Sequence, residues 1–564
     1  MDDEHLVVND VSVVRPSEPL FPYALLAALR EAPGSPAFEH RGRIVSRGEL
    51  LERIGRLAAA LRAARLGPGR GLAVSLAVSP EAFAAQMAAH VLGCRVVGVR
   101  PGYTPGQLAH VLGMDVDALL VDRSTATSDL LTAAGRTPLL SLGSCPGATD
   151  LMAAPSEDGG AEPVITSQPD DVAFVAFTSG STGNPKGCAI TYRALTAHWA
   201  WQPRVWSPVA AEFATAFRRY MLFGTLSSIV VMEFLAPCLL GGGTAVIPED
   251  DGRPLFPYAI ERHRITGSII TVPRLCQMLD VVRKEPADVS SLRGLMVSGS
   301  PLSPHRLAEA VDRLGPVVYQ GYGQTEVGNI AMLTPGDIAG GPEALLASTG
   351  RPHPRVEISV RDEAGRELAP SHDGEIFVRC PYQMKGYWCD PGETRDVLRD
   401  GWIRTRDLGH VDDKGYLYLV GRTRDVILVD AMVVYAGPIE RVLASHPDVI
   451  DAYVTGAPDE RTGEAVHAFV VPSGSGHRRR GVGGAGRARA RPARRGQRPS
   501  DDHGGARRSG GRQRQARQAG AAAARRGDGL IRGAGRSAES CSHLAPTEAA
   551  PGWDAPWIWL CRAF

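Results

Sequence analysis

Residues 177–187 read Phe-Thr-Ser-Gly-Ser-Thr-Gly-Asn-Pro-Lys-Gly, a concentration of hydroxyls, glycines and one lysine suited to gripping phosphate. Gly180, Gly183 and Gly187 let backbone N–H groups turn toward an anion. Thr178, Ser179, Ser181 and Thr182 add hydroxyl donors, and Lys186 adds a positive charge on a long stem. The spacing Gly-x-x-Gly-x-x-Lys-Gly is not that of the Walker loop, Gly-x-x-x-x-Gly-Lys-Ser/Thr. A second constellation, Tyr322-Gly-Gln-Thr-Glu326, offers an aromatic face, a hydroxyl and a carboxylate. It follows the apolar run Val317–Tyr319, so it is expected at the carboxyl end of a parallel strand, where α/β sheets build ligand sites. Thr405-Arg-Asp407 and Gly421-Arg422-Thr-Arg-Asp425 supply further carboxylates and guanidinium groups. Together these stretches predict chemistry on ATP.

Such residues need a layered scaffold. Asp171–Phe177 reads as a buried strand, which places the phosphate loop at a strand end. Helix-like and strand-like segments alternate from about Pro19 to Asp122 and again through Ser268–Val272, Gly294–Ser298 and Pro316–Gln320, the pattern of α/β sheets. From Val356 to Val420 the texture is β-rich, punctuated by turns at Asp362–Gly365, His372–Gly374 and Asp412–Gly415. Residues 1–420 are therefore expected to form one large domain and 421–474 the start of a small one. Residues 478–536 hold eighteen arginines, no lysine and little aliphatic periodicity, so 475–564 is expected not to fold natively.

With 564 residues, 44% of them hydrophobic, the chain can bury several cores, while a net charge of +1 gives no field that would steer it to nucleic acid or membrane. The arginine-rich tail has no aromatic residue between 475 and 552 to stack on bases, so no nucleic-acid partner is expected. Nine cysteines without a Cys-x-x-Cys pair argue against a zinc site or disulfide framework. Neither an export signal nor a membrane span is legible, and a cytoplasmic location is expected.

In this order, and with Val297-Ser-Gly-Ser-Pro-Leu-Ser303 and Lys385-Gly-Tyr-Trp-Cys-Asp-Pro-Gly-Glu-Thr394, the motifs resemble the adenylate-forming superfamily of acyl-CoA synthetases, peptide-synthetase adenylation domains and luciferases. The resemblance runs from about residue 20 to residue 472. It implies an α/β fold: a large N-terminal domain with two α/β sheets and a β-rich subdomain, then a small, mobile α+β C-terminal domain, here truncated. It also implies that Thr178–Lys186 hold the β- and γ-phosphates, with Tyr322 and Gly323 near adenine beside Gly299, Ser300 and Pro301. Thr325 would touch the α-phosphate, Glu326 would help hold Mg²⁺, and Asp407 with Arg422 would bind the ribose. Lys186, Thr325 and Glu326 are thus the catalytic candidates, and Arg424 occupies the hinge position. Tyr220, Phe223 and Gly321 are expected to line the acid pocket, within a region also rich in Trp199, Trp201, Trp206, Phe213 and Phe217. The implied reaction activates a carboxylic acid, a small aromatic or polyketide-like one, as acyl-AMP and transfers it to CoA. An amine is the alternative acceptor.

Three departures bear on that expectation. Val429-Asp430-Ala431-Met432 lacks the glycine-rich turn of relatives, which narrows the passage for a pantetheine arm. Arg406 stands where relatives carry glycine. The C-terminal lysine of relatives has no counterpart, because Lys186, Lys284, Lys385 and Lys414 are the chain's only lysines, and an ATP-binding pseudoenzyme is therefore a further alternative. Arg512–Gly520 can be written in codons whose reading one base later gives Gly-Asn-Gly-Lys-Xaa-Asp-Lys-Arg, so a frameshift shortly after Pro472 is expected to account for the loss.

Overall fold

The computed structural model describes residues 19–153, 163–178, 184–423, 426–429, 432–446, 449–459, 463–472 and 559–563. Its architecture is α/β, with a large N-terminal part and a smaller C-terminal sheet. The first sheet has eight strands. From the edge inward it runs Gly386–Tyr387, Lys186–Thr191, Val172–Thr178, Arg95–Gly98 and Gly71–Ser75, then continues through Ala118–Asp122. Its central strands are parallel and their side chains almost all buried, which is why they read as continuous apolar runs instead of alternating ones.

A second, nine-stranded sheet contains Gly267–Thr271, Gly294–Ser298 and Val318–Gln324 in parallel, after which Gly328–Leu333 turns back antiparallel. The helix Ile229–Leu240 packs on this sheet against Arg219–Met221, Thr244–Ile247 and Gly267–Thr271. A helix apolar on every side belongs in an interior, and all but two of its residues are buried, Glu233 among them.

The β-rich segment forms a third, antiparallel sheet around Trp402–Val411, in which buried and less buried positions alternate through Ile403, Thr405 and Asp407. That period of two puts Thr405 and Asp407 on the inward face and Arg404 and Arg406 on the other. One continuous apolar core joins Phe174, Phe234, Met296 and Ile376, so the three sheets are fixed against one another.

The third sheet's ladder continues to Arg422, and the fourth sheet begins at Val426. The helix Ala436–Ala444 ties the two together, Arg441 Nη1 donating to the Val420 carbonyl at 3.0 Å. Of residues 475–564 the structure describes Trp559–Ala563, which pairs antiparallel with Gly463–Pro472. Among the described residues no helix is long and apolar enough to cross a membrane.

Candidate active site

The three sheets meet at a cleft of about 390 Å³. The first sheet contributes Thr178 and Lys186, which pair with each other at the end of its antiparallel strands Val172–Thr178 and Lys186–Thr191. The second sheet contributes Ser298, Gly299, Gly321, Gly323 and the turn Gln324-Thr325-Glu326 between its last antiparallel strands. The third contributes Arg404, Thr405, Arg406 and Arg422. Among the described residues five cations line the cleft (Arg100, Lys186, Arg404, Arg406 and Arg422) against two carboxylates, Glu233 and Glu326, so the cavity favours a polyanion.

The cations are held in place by acids. Lys186 Nζ lies 2.5 Å from Glu393 Oε1 and over the Tyr387 ring, and Arg406 Nη1 reaches the same oxygen at 2.9 Å. Glu393 is positioned by the helix Pro391–Val397: Asp390 caps it by accepting from the Glu393 backbone N–H at 2.9 Å. Burial works to raise the Glu393 pKa, but Lys186 and Arg406 outweigh it and hold the carboxyl below its ordinary range. Arg406 also pairs with Asp396, and its backbone adopts φ +61°, a left-handed conformation that favours glycine. Glu326 accepts from the Tyr387 hydroxyl at 2.7 Å, and burial together with that carboxylate pushes the Tyr387 phenol well up.

Asp407 stands just behind the wall, 4% exposed. Its Oδ1 accepts from Arg422 Nε at 3.0 Å; its Oδ2 accepts from the Tyr322 hydroxyl at 2.5 Å and from Gln324 Nε2 at 2.6 Å. Both oxygens are therefore engaged, and Asp407 ties three stretches of chain to one another. Tyr322 is buried, its phenol directed at Asp407, and it is not among the residues lining the cleft.

Val230, Glu233 and Phe234 of the Ile229–Leu240 helix line the cleft together with Met296 and Asn329. Trp199 Nε1 donates to Glu233 Oε1 at 2.6 Å, and the Asn329 backbone also donates to this carboxyl. Burial overrides both bonds and pushes the Glu233 pKa up to about 7. Burial likewise lowers His198, whose Nε2 lies 3.8 Å from the carboxyl, to about 3, and His353, which packs on Trp199, to about 4.

Tyr220 and Phe223 do not line this cleft. Tyr220 is fully buried against Phe217, and Phe223 packs on Phe256 under Arg274, facing a separate pocket. Tyr220 lies on a buried three-residue strand and Phe223 just beyond it, so chain proximity to the site did not put either ring in the cavity; the next helix supplies the wall. Trp199, Trp201, Phe213 and Phe217 are core. Ser300 and Pro301 are exposed beyond Gly299 and do not line the cleft. Ser179, Gly180, Ser181, Thr182, Gly183, Arg424, Asp430 and Ala431 lie outside the described residues.

Sequence reasoning missed Arg100, Glu233, Glu393, Tyr387 and Arg404. For Glu233 a signal existed: a lone carboxylate in an otherwise apolar segment needs a reason to be buried.

Residues 25–388 match the AMP-binding enzyme family and residues 438–483 the AMP-binding enzyme C-terminal domain. The chain belongs to the AMP-binding enzyme family, the acyl-adenylate-forming ligases. It is 31% identical over 466 residues to a medium/long-chain-fatty-acid–CoA ligase of Mycobacterium tuberculosis, covering 80% of this chain and 79% of that one. It is 32% identical over 449 residues to a feruloyl-CoA synthase of Amycolatopsis sp, covering 79% and 87%. Among solved structures it is similar to an amide bond synthetase from Marinactinospora thermotolerans, at 34% identity and a TM-score of 0.70, covering 81% of this chain and 90% of that one.

Proposed function

We propose that the protein activates a small aromatic carboxylic acid with ATP and passes the acyl-AMP to CoA. The observation that carries this reading is a single cleft in which the cations Lys186 and Arg406 with Glu326 share the cavity with an apolar wall of Val230, Phe234 and Met296. The acid's carboxylate attacks the α-phosphate of ATP; a carbon-bound oxygen gains a bond to phosphorus, and the bond from the α-phosphorus to the bridging oxygen breaks as pyrophosphate leaves. Two anions must approach, so the barrier is lowered by neutralising charge with positioned donors. Thr178 and Lys186, with residues 179–183, take the β- and γ-phosphates, and Thr325 takes the α-phosphate. Asp407 and Arg422 bound the ribose end. Glu326 suits Mg²⁺, which prefers one or two carboxylates plus phosphate oxygens and supplies charge neutralisation there. Tyr387 orients that carboxylate.

The acceptor has a second reading. The similarity to an amide bond synthetase and the absence of glycine from residues 429–432 favour transfer to an amine. A third follows from the lysine content: with no lysine beyond Lys414, adenylation by the chain as written is reduced by about 10²-fold relative to a chain carrying the lysine motif in frame. The test is acid-dependent exchange of labelled pyrophosphate into ATP, run on this chain and on one whose reading frame is shifted after Pro472. Exchange restored by the shift supports both the activity and the frameshift. ATP binding without exchange in either chain refutes the activity and leaves a pseudoenzyme. Thioester against amide product then identifies the acceptor.

A further inference from the structure

The cleft wall contains a carboxylate that the adenylation chemistry does not use. Glu233 is 2% exposed, sits on an apolar helix, and lines both the cleft and a small inner cavity bounded by His90, His198 and Trp201. An ionised or neutral carboxyl buried among apolar groups is costly unless hydrogen-bonded, and replacement by a hydrophobic residue is the usual cheaper solution for a core helix. Trp199 and Asn329 engage part of it, yet a carboxylate has about four acceptor positions, so room remains for a further donor from the cleft.

We propose that Glu233 selects the acid: the substrate is an aromatic carboxylic acid bearing an N–H or O–H donor at the end away from its carboxylate, and Glu233 receives that donor. This rests on the adenylation reading above and names its substrate class. The orientation follows from charge. Lys186 and Arg406 draw the substrate carboxylate toward themselves, which leaves the ring's other end to meet Glu233. An all-hydrocarbon acyl chain in the same place would cover the carboxyl without bonding to it, which penalises plain fatty acids. Phe234 and Met296 flank the ring with apolar and polarisable surface.

The test uses isosteric pairs on the full chain: indole-5-carboxylic against benzofuran-5-carboxylic acid, and 4-hydroxycinnamic against 4-fluorocinnamic acid. Binding is read by calorimetry, and turnover by pyrophosphate exchange. The donor-bearing member of at least one pair is expected to be favoured by about 10²-fold, because a site built around a polar partner rejects the analogue lacking it. In Glu233→Leu that ratio is expected to fall within about threefold while the KM for ATP is unchanged. Equal affinity within both pairs for the unmodified protein overturns the proposal, as does a donor preference that survives Glu233→Leu. Should the variant fail to fold, the ratio in the unmodified protein decides. A donor preference in binding, with no exchange either in this chain or in the one whose frame is shifted after Pro472, refutes adenylation and leaves the role of Glu233 standing, so the two failures are distinguishable.

Discussion

Replacing Arg406 by glycine separates a side chain that binds nucleotide from one that merely braces the fold. At φ +61° a non-glycine residue carries a conformational cost of about 1–2 kcal/mol, which glycine removes. The same change deletes the ion pairs to Glu393 and Asp396, whose side chains are 22% and 44% exposed. Partly exposed pairs contribute about 0.5–1 kcal/mol each, so the two effects nearly cancel and stability should change by no more than about 1 kcal/mol. ATP should feel the loss differently. A charge-assisted contact to a phosphate contributes about 1.5–3 kcal/mol, part of which is given up in leaving Glu393. About 1–1.5 kcal/mol remains, equivalent to a KM for ATP raised by about 5- to 10-fold in the exchange assay. A denaturant titration supplies the control. If Arg406→Gly lowers stability by about 3 kcal/mol while the KM for ATP stays within twofold, Arg406 is a structural clamp and its place in the triphosphate site is refuted.

Glu393→Gln frees Lys186 and Arg406 from their shared counter-ion, so the variant should bind ATP about 3- to 10-fold more tightly by calorimetry, the gain shrinking as salt is raised. Gly321→Ala would place a Cβ 1.9 Å from the Met296 Cε; the flexible thioether must move within the cleft wall, so KM should rise about 10-fold for bicyclic acids and little for benzoic acids, with the KM for ATP unchanged. Glu233 governs a stability profile. Its folded pKa, about 7, lies above the ordinary 4.5, so the native state binds the extra proton and stability declines as pH rises from about 4.5 through 7. Glu233→Gln removes that decline and should gain on the order of 3 kcal/mol relative to the unmodified protein between pH 5 and pH 8, read by denaturant titration at each pH. The neighbouring His198 and His353 titrate in the opposite sense and are common to both proteins.

The parts of the site legible in sequence are those set by backbone geometry. The strand ends at Thr178 and Gln324, where the sequence placed its two motifs, follow from apolar runs closed by glycine and hydroxyl residues. The acid pocket was not legible in the same way. Tyr220 and Phe223 are near the site in chain order, but burial among Phe217, Phe256 and Arg274 depends on which face of the second sheet each ring meets, a three-dimensional matter. Glu233 was visible only as an interruption of an apolar run, because its partners Trp199 and Asn329 lie far away in sequence. Asp407 shows the intermediate case. Its inward direction follows from strand alternation, whereas its bonds to Tyr322 and Gln324 require two sheets to meet.

Arg406 and Glu393 belong together in any account of how the cleft works. Without nucleotide, the cations at this end would repel one another across a partly buried space, and Glu393 offsets that repulsion at the cost of competing with ATP for Lys186 and Arg406. The competition has a direction. The Glu393 backbone is fixed by the Asp390 cap of the Pro391–Val397 helix, whereas the long side chains of Lys186 and Arg406 can turn away from its carboxylate toward a triphosphate. If Lys186 and Arg406 grip the leaving group as proposed, pyrophosphate release returns them to Glu393, and the carboxylate weakens product binding as well as substrate binding. Its removal should therefore tighten pyrophosphate inhibition along with ATP binding. If Glu393→Gln strengthens ATP binding yet leaves pyrophosphate inhibition unchanged, Lys186 and Arg406 do not grip the leaving group, and this placement of the triphosphate is wrong.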